Sequence, residues 1–244
     1  MKKDNLFILF GLAMIILVWL FSSLHINNAL VLPTISQVFN SLKTILSTSK
    51  SYLIIFNTFL KLVFTMIISL VIAIILAILS IFSLKFEKFI KPMIVIFKTI
   101  PIVSIIILLL VFLGNNKSPY VVTLLVVLPI MYESLLTGFK NINPEILDDV
   151  KTISNLNLSV FRTIYIPLIF QYLMMGLTQS FGLGLKVMIM GEFIAQPNNT
   201  IGYIMQLERS NLNTPAILAW TIILIIIILV IELILNKITK ALEY

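Results

Sequence analysis

The chain has 244 residues, 60% hydrophobic and only 11% charged, with a mean hydropathy of +1.12 and a net charge of +7. A soluble domain carries about 25% charged residues, so a soluble globule and a disordered tail are both excluded and a polytopic membrane protein is expected. With no cysteine and one histidine, disulfides, thiolate chemistry and the usual zinc sites are excluded, and no metal site is expected.

The basic surplus fits the collection of Lys and Arg in cytoplasmic loops, and no nucleic-acid partner is inferred. Six spans of ~20 residues would fill about half the chain, which leaves no room for an ATP-binding domain. The apolar runs are continuous, unlike the alternating ~10-residue strands of a barrel, so an all-α fold with about six transmembrane helices is expected.

The first span, about 5–24, follows Lys2 and Lys3. Ser22-Ser23-Leu24 is a poor cleavage site, so the run reads as a retained signal-anchor helix. His25 reads as an interfacial residue at its end. Next, Ile35, Val38, Phe39, Leu42, Ile45 and Leu46 recur at spacings of three and four. They predict an amphipathic helix lying on the bilayer.

The second span, about 53–84, is interrupted only by Lys61, which is expected to snorkel to an interface. The third, about 93–113, carries Lys98 near its start, also placed to snorkel, and Pro101 inside, where a kink is permitted. The fourth, about 119–138, contains Pro129. The fifth, about 164–195, contains Lys186 and Glu192, with Gly176, Gly182 and Gly184 allowing close helix approach. The sixth is about 214–236. Glu133, Glu192 and Glu232 are all expected nearer span ends. Basic residues concentrate on one side, among them Lys2, Lys3, Lys85, Lys88, Lys91, Lys140 and Lys237, so both termini are expected in the cytoplasm.

The longest cytoplasmic stretch is about 139–165. Asn143-Pro144 is a good helix start. Glu145, Asp148 and Asp149 lie in early turns, where the helix dipole favours acids. Ile146, Leu147, Val150 and Ile153 form an apolar stripe that needs a cover. A protein partner and the membrane surface are both open on these grounds, and the early acids favour the protein.

Lys186 and Glu192 are six residues apart, about 600° of helical turn, hence not on one face. An ionisable group inside a span faces the bundle interior by default. Lys186 is open to two readings: attraction of an anionic solute along the pathway, or a bond to a neighbouring span that fixes packing. An intramembrane enzyme is disfavoured by the lack of Cys and the peripheral His. A stand-alone secondary transporter is disfavoured by the lack of an internal repeat.

Asp148-Asp149-Val150, then Ser154, Ile164 and Ile166-Pro167, follow a known spacing: Glu-Ala-Ala, three residues, Gly, nine residues, Ile, one residue, Leu-Pro. The chain thereby resembles the permease subunits of bacterial ABC importers. Ile164 and Pro167 match by identity, Asp148 keeps the acid and Ser154 keeps a small residue. Asp149 and Val150 depart from the two alanines. Phe161-Arg162 resembles a pair found in the nitrate/sulfonate/taurine/bicarbonate-type branch. So do Leu32-Pro33 through Val38, Asn57 through Lys61, Lys98-Thr99-Ile100-Pro101, Gly184-Leu185-Lys186 through Gly191-Glu192, and Ile201-Gly202-Tyr203.

The resemblance implies a single permease domain over 1–244 with a type I ABC importer fold, similar to the methionine permease. It implies a homodimer in a bacterial cytoplasmic membrane that takes up a small solute, an anion such as nitrate, a sulfonate, taurine or bicarbonate. A thiamine precursor or another heterocycle on the same scaffold is the alternative. ABC ATPase subunits would bind ATP and Mg, no cofactor would sit in this chain, and an extracytoplasmic binding protein would deliver the solute. Residues 144–160 would be the coupling segment gripped by the ATPase. Asp148, Asp149, Val150, Ser154, Phe161, Arg162, Ile164 and Pro167 would form that contact. Lys186, Glu192 and Pro101 would line the pathway or its gate.

Overall fold

The structure, a computed structural model, describes residues 2–143 and 164–242. Among the described residues there are eight α-helices: α1 (Lys2–Ile26), α2 (Ile35–Ser47), α3 (Ser49–Phe82), α4 (Leu84–Thr99), α5 (Ile102–Lys140), α6 (Ile166–Ala195), α7 (Ile201–Ser210) and α8 (Thr214–Leu242).

Local chemistry sets several helix starts. Thr34 begins α2 with a capping box: the Gln37 N–H donates to Thr34 Oγ1 at 3.4 Å, and the Thr34 N–H donates to Gln37 Oε1 at 2.9 Å. Ser83 accepts from the Phe86 N–H at 3.2 Å and starts α4 at Leu84, ahead of the third span expected from hydropathy at about 93. Thr200 accepts from the Tyr203 N–H at 3.4 Å and starts α7. The apolar stripe of α2 is only partly covered, with Phe39 and Leu46 left exposed. Leu42 and Ile45 pack on Ile54 of α3, Ile201 of α7, and Trp220 and Ile223 of α8.

Five of these helices are long and apolar enough to cross a membrane: α1, α3, α5, α6 and α8. The third expected span, about 93–113, is divided between the end of α4 and the start of α5, and the fourth, about 119–138, lies in α5 beyond Gly114. Gly114 interrupts α5 with φ 72° and ψ −178°, a conformation essentially reserved for glycine. If α5 were straight, Glu133 would lie roughly 46 Å from Ile102. Instead Lys98, just before α5, pairs with Glu133 at 2.8 Å, and Glu87 of α4 pairs with Lys140 at 2.6 Å. Ile105 and Ile106 share a buried cluster with Val122. The chain therefore reverses at Gly114, and α4 together with residues 102–113 runs antiparallel to residues 115–140. Pro101 parts α4 from α5. That leaves a 16-residue helix and a short leg, neither long enough alone to span ~30 Å of hydrocarbon.

The core lies where α3, α5 and α6 meet, with Leu62, Met66, Val127, Met131, Leu185 and Met188 nearly sealed from solvent. Small residues bring α5 and α6 together. A Cβ added at Gly176 would sit 2.8 Å from the Ser134 Cβ, closer than packed carbons approach. By contrast, α1 exposes most of its apolar surface and is tied near its end, where Trp19 Nε1 donates to the Pro33 carbonyl at 3.0 Å.

Candidate functional site

Two polar features interrupt the apolar bundle. The first is a groove along one face of α6. Gln171, Met175, Thr178, Gln179, Gly182 and Lys186 recur at the spacing of a single helix face. They line three adjoining cavities of about 330, 370 and 450 Å³, all of which include Gln179. The opposite walls come from Lys98 of α4, from Ile130, Glu133, Ser134 and Thr137 of α5, and from Glu232, Asn236 and Thr239 of α8. Near one end the Asn141 amide donates to the Tyr172 hydroxyl at 3.0 Å.

Lys186 is exposed to this groove and shares a cavity with Glu232. Among the described residues it forms no ion pair. Glu232 does not sit near a span end as expected. One of its carboxylate oxygens lies 3.9 Å from where a Cβ on Gly182 would be, beside the middle of α6. Lys98 does not snorkel freely either. Its ammonium donates to both oxygens of Glu133, at 3.0 and 2.8 Å.

The second feature is a buried clasp around Glu192, which is fully sealed from solvent. The Thr58 hydroxyl of α3 donates to its two oxygens at 3.1 and 2.9 Å, and the Gly202 N–H of α7 donates at 3.2 Å. The Thr58 oxygen also accepts from the Ile201 N–H at 3.0 Å, so one hydroxyl joins three helices. Lys61 departs from its expected interfacial position. Its ammonium lies 3.9 Å from Glu192 and 5.7 Å from the centre of the Tyr120 ring. Burial of a carboxylate is tolerated because donors and a counter-charge surround it. Gly202 is required by that proximity: a Cβ there would lie 2.5 Å from Glu192 Cβ and 2.5 Å from the Phe193 nitrogen.

The expected pathway residues therefore separate. Lys186 faces the groove, Glu192 is locked in the clasp, and Pro101 is an exposed cap at the start of α5. No sequence signal linked Glu192 to Thr58 or Gly202. Lys61, a lone charge in a long apolar run, was the one available hint of a buried partner. Of the expected coupling residues, Asp148, Asp149, Val150, Ser154, Phe161 and Arg162 lie outside the described residues. Ile164 is half-buried, and Pro167 occupies the first turn of α6, where its missing N–H leaves no bond unmade.

Long apolar helices around a groove lined by polar side chains describe a membrane-embedded helical bundle. Residues 69–243 match the binding-protein-dependent transport system inner membrane component family, and the chain belongs to that family of ABC importer permease subunits. Its fold is similar to a chain of the MetNI methionine ABC transporter in an inward-facing conformation (CY5 native crystal form), with a TM-score of 0.70 at 14% identity over 79% of this chain and 97% of that one. No curated protein matches the chain. Family membership implies ATPase and substrate-binding partners and a permease dimer, in a family of transport components that are generally non-catalytic.

Proposed function

We propose that this subunit forms the translocation pathway for a small solute bearing an acidic group, such as a sulfonate, taurine, nitrate or bicarbonate. The observation that carries the reading is Lys186: an exposed ammonium without an ion-pair partner among the described residues, on the polar face of an otherwise apolar helix. A charge held inside a membrane bundle faces a wet cavity or a ligand. Gln171, Thr178, Gln179 and Ser134 add neutral donors for oxyanions along the same groove. A second copy of the chain would close the open side of the groove. The α2/α7 end would face the binding protein.

In this reading the segment 144–160 is the handle of a separate ATPase, which holds ATP and Mg. The clasp at Glu192 positions α7 against α3 and α6 and does not touch solute. A thiamine precursor or similar heterocycle is the alternative cargo, favoured by the Glu232 carboxylate in the groove. The test is uptake by the complex reconstituted with its ATPase and binding protein. Lys186→Gln is expected to slow uptake of the acidic solute at least tenfold while the complex still assembles. Unchanged uptake would refute the pathway role.

A further inference from the structure

We infer that Glu232 is the resident counter-ion of Lys186: its carboxylate neutralises the ammonium across the α6–α8 groove while the pathway is empty, and yields it to the acidic group of an arriving solute. The inference rests on the proposed pathway role of Lys186 and adds the residue that tunes it. The observation is the placing of two lone charges. Between Ile166 and Ala195 the charged side chains are Lys186 and Glu192, and Glu192 is locked in the clasp. Between Thr214 and Asn236 Glu232 is the only one. Two apolar helices thus carry one uncommitted charge each, of opposite sign, and both charges line the same cavity of about 450 Å³.

The register of the helices brings the two within reach. Thr221, Leu224, Ile228 and Glu232 recur at spacings of three and four, on one face of α8. The first three line a second cavity that also includes Lys186, so this face is turned toward α6. A carboxylate oxygen of Glu232 lies 3.9 Å from where a Cβ on Gly182 would be. Gly182 is one turn from Lys186 on the same face, ~5–6 Å between Cβ positions, and a lysine stem is long enough to cover that distance. The structure holds the two apart: among the described residues neither forms an ion pair.

A lone ammonium inside a membrane bundle is costly, and so is a lone carboxylate. Paired, they relieve both costs, and removing one partner alone strands the other. The pair also reconciles a carboxylate with a path for an acidic solute. A site in such a path must bind firmly enough to admit the solute and weakly enough to release it. Glu232 competes with the solute for Lys186, so the ion pair opens on arrival and closes again on departure.

The test uses the permease co-purified with its ATPase in nanodiscs, as wild type, Lys186→Gln, Glu232→Gln and the double variant. Without solute, each single substitution is expected to lower the melting temperature by about 2 °C or more. The double variant, which strands no charge, is expected to fall by less than either. Ethanesulfonate at millimolar concentration, compared with sodium chloride at equal ionic strength, is the displacement probe. It is expected to raise the melting temperature of Glu232→Gln at least twice as much as that of the wild type. Lys186→Gln and the double variant are expected not to respond, a pattern that a purely structural role of Glu232 would not give. Losses that add in the double variant overturn the pair, and equal ethanesulfonate shifts in wild type and Glu232→Gln overturn the displacement. Should a single variant fail to assemble, recovery in the double variant supports the pair and continued failure overturns it. Additive losses together with slow uptake by Lys186→Gln leave the pathway reading standing and remove Glu232 alone. Coupled losses with normal uptake by Lys186→Gln leave a packing bond, and both the pathway role and the displacement fall.

Discussion

Replacing Glu192 with alanine removes the acceptor on which α3, α6 and α7 converge. The Thr58 hydroxyl and the Gly202 N–H, 2.9 to 3.2 Å away, would be left without their carboxylate in a site closed to solvent. Each buried donor deprived of its partner costs about 1–3 kcal/mol. Lys61, whose side chain is only 15% exposed, also loses its counter-charge at 3.9 Å. The Thr58 oxygen keeps its bond from the Ile201 N–H, so part of the clasp survives. The expected loss is about 3 kcal/mol, and at ~2–4 °C per kcal/mol for a chain of this size the melting temperature should fall by roughly 6–12 °C. Glu192→Gln retains an oxygen for Thr58 and should lose less than half as much. Thermal unfolding of the purified protein in nanodiscs, followed by circular dichroism, measures both. A fall below about 2 °C for Glu192→Ala would show that the clasp does not hold the helices together.

Three further outcomes follow from the same geometry. Gly202→Ala places a Cβ within 2.6 Å of the Ile189 carbonyl oxygen and closer still to Glu192; overpacking of this kind costs about 1–3 kcal/mol, visible as a lower melting temperature, and an unshifted melt would contradict the close approach of α7. Gly114→Ala forces a side chain into the glycine-only conformation at the reversal, at a cost of about 1–3 kcal/mol; faster proteolysis near residue 114 is expected, and unaltered cleavage and stability would argue against the turn. Asp148→Lys or Ser154→Trp is expected to abolish ATP-driven uptake while the protein remains in the membrane, as read by transport and by immunoblot of membrane fractions. Full uptake by either variant would remove that segment from the coupling contact.

Hydropathy made the long helices legible because a span needs little more than length and apolarity. The sequence also signalled α2 by its spacing, and marked Pro101 as a permitted kink, though not as the end of one helix and the start of another. It placed a break between the third and fourth expected spans, where Gly114 reverses the chain, but did not show the contacts that hold the two legs together, Lys98 to Glu133 and Glu87 to Lys140, because they join distant positions. The short α7 was carried by a cap at Thr200 and by packing on α6, signals too local to stand out beside six apolar runs. In the site, Lys186 was identifiable as a charge within a span. Its neighbour Glu232 was misplaced toward a helix end because α8 extends to Leu242, well beyond the apolar stretch. Lys61 was misread because a lysine stem long enough to snorkel is also long enough to reach a carboxylate on another helix.

The most direct measurement of the permease assignment is solute accumulation in proteoliposomes containing this chain with and without its partner ATPase. Accumulation that requires the ATPase, the binding protein and ATP, and that stops when ATP is replaced by a non-hydrolysable analogue, is the predicted result. Accumulation by this chain alone, driven by an ion gradient and indifferent to ATP, would contradict it.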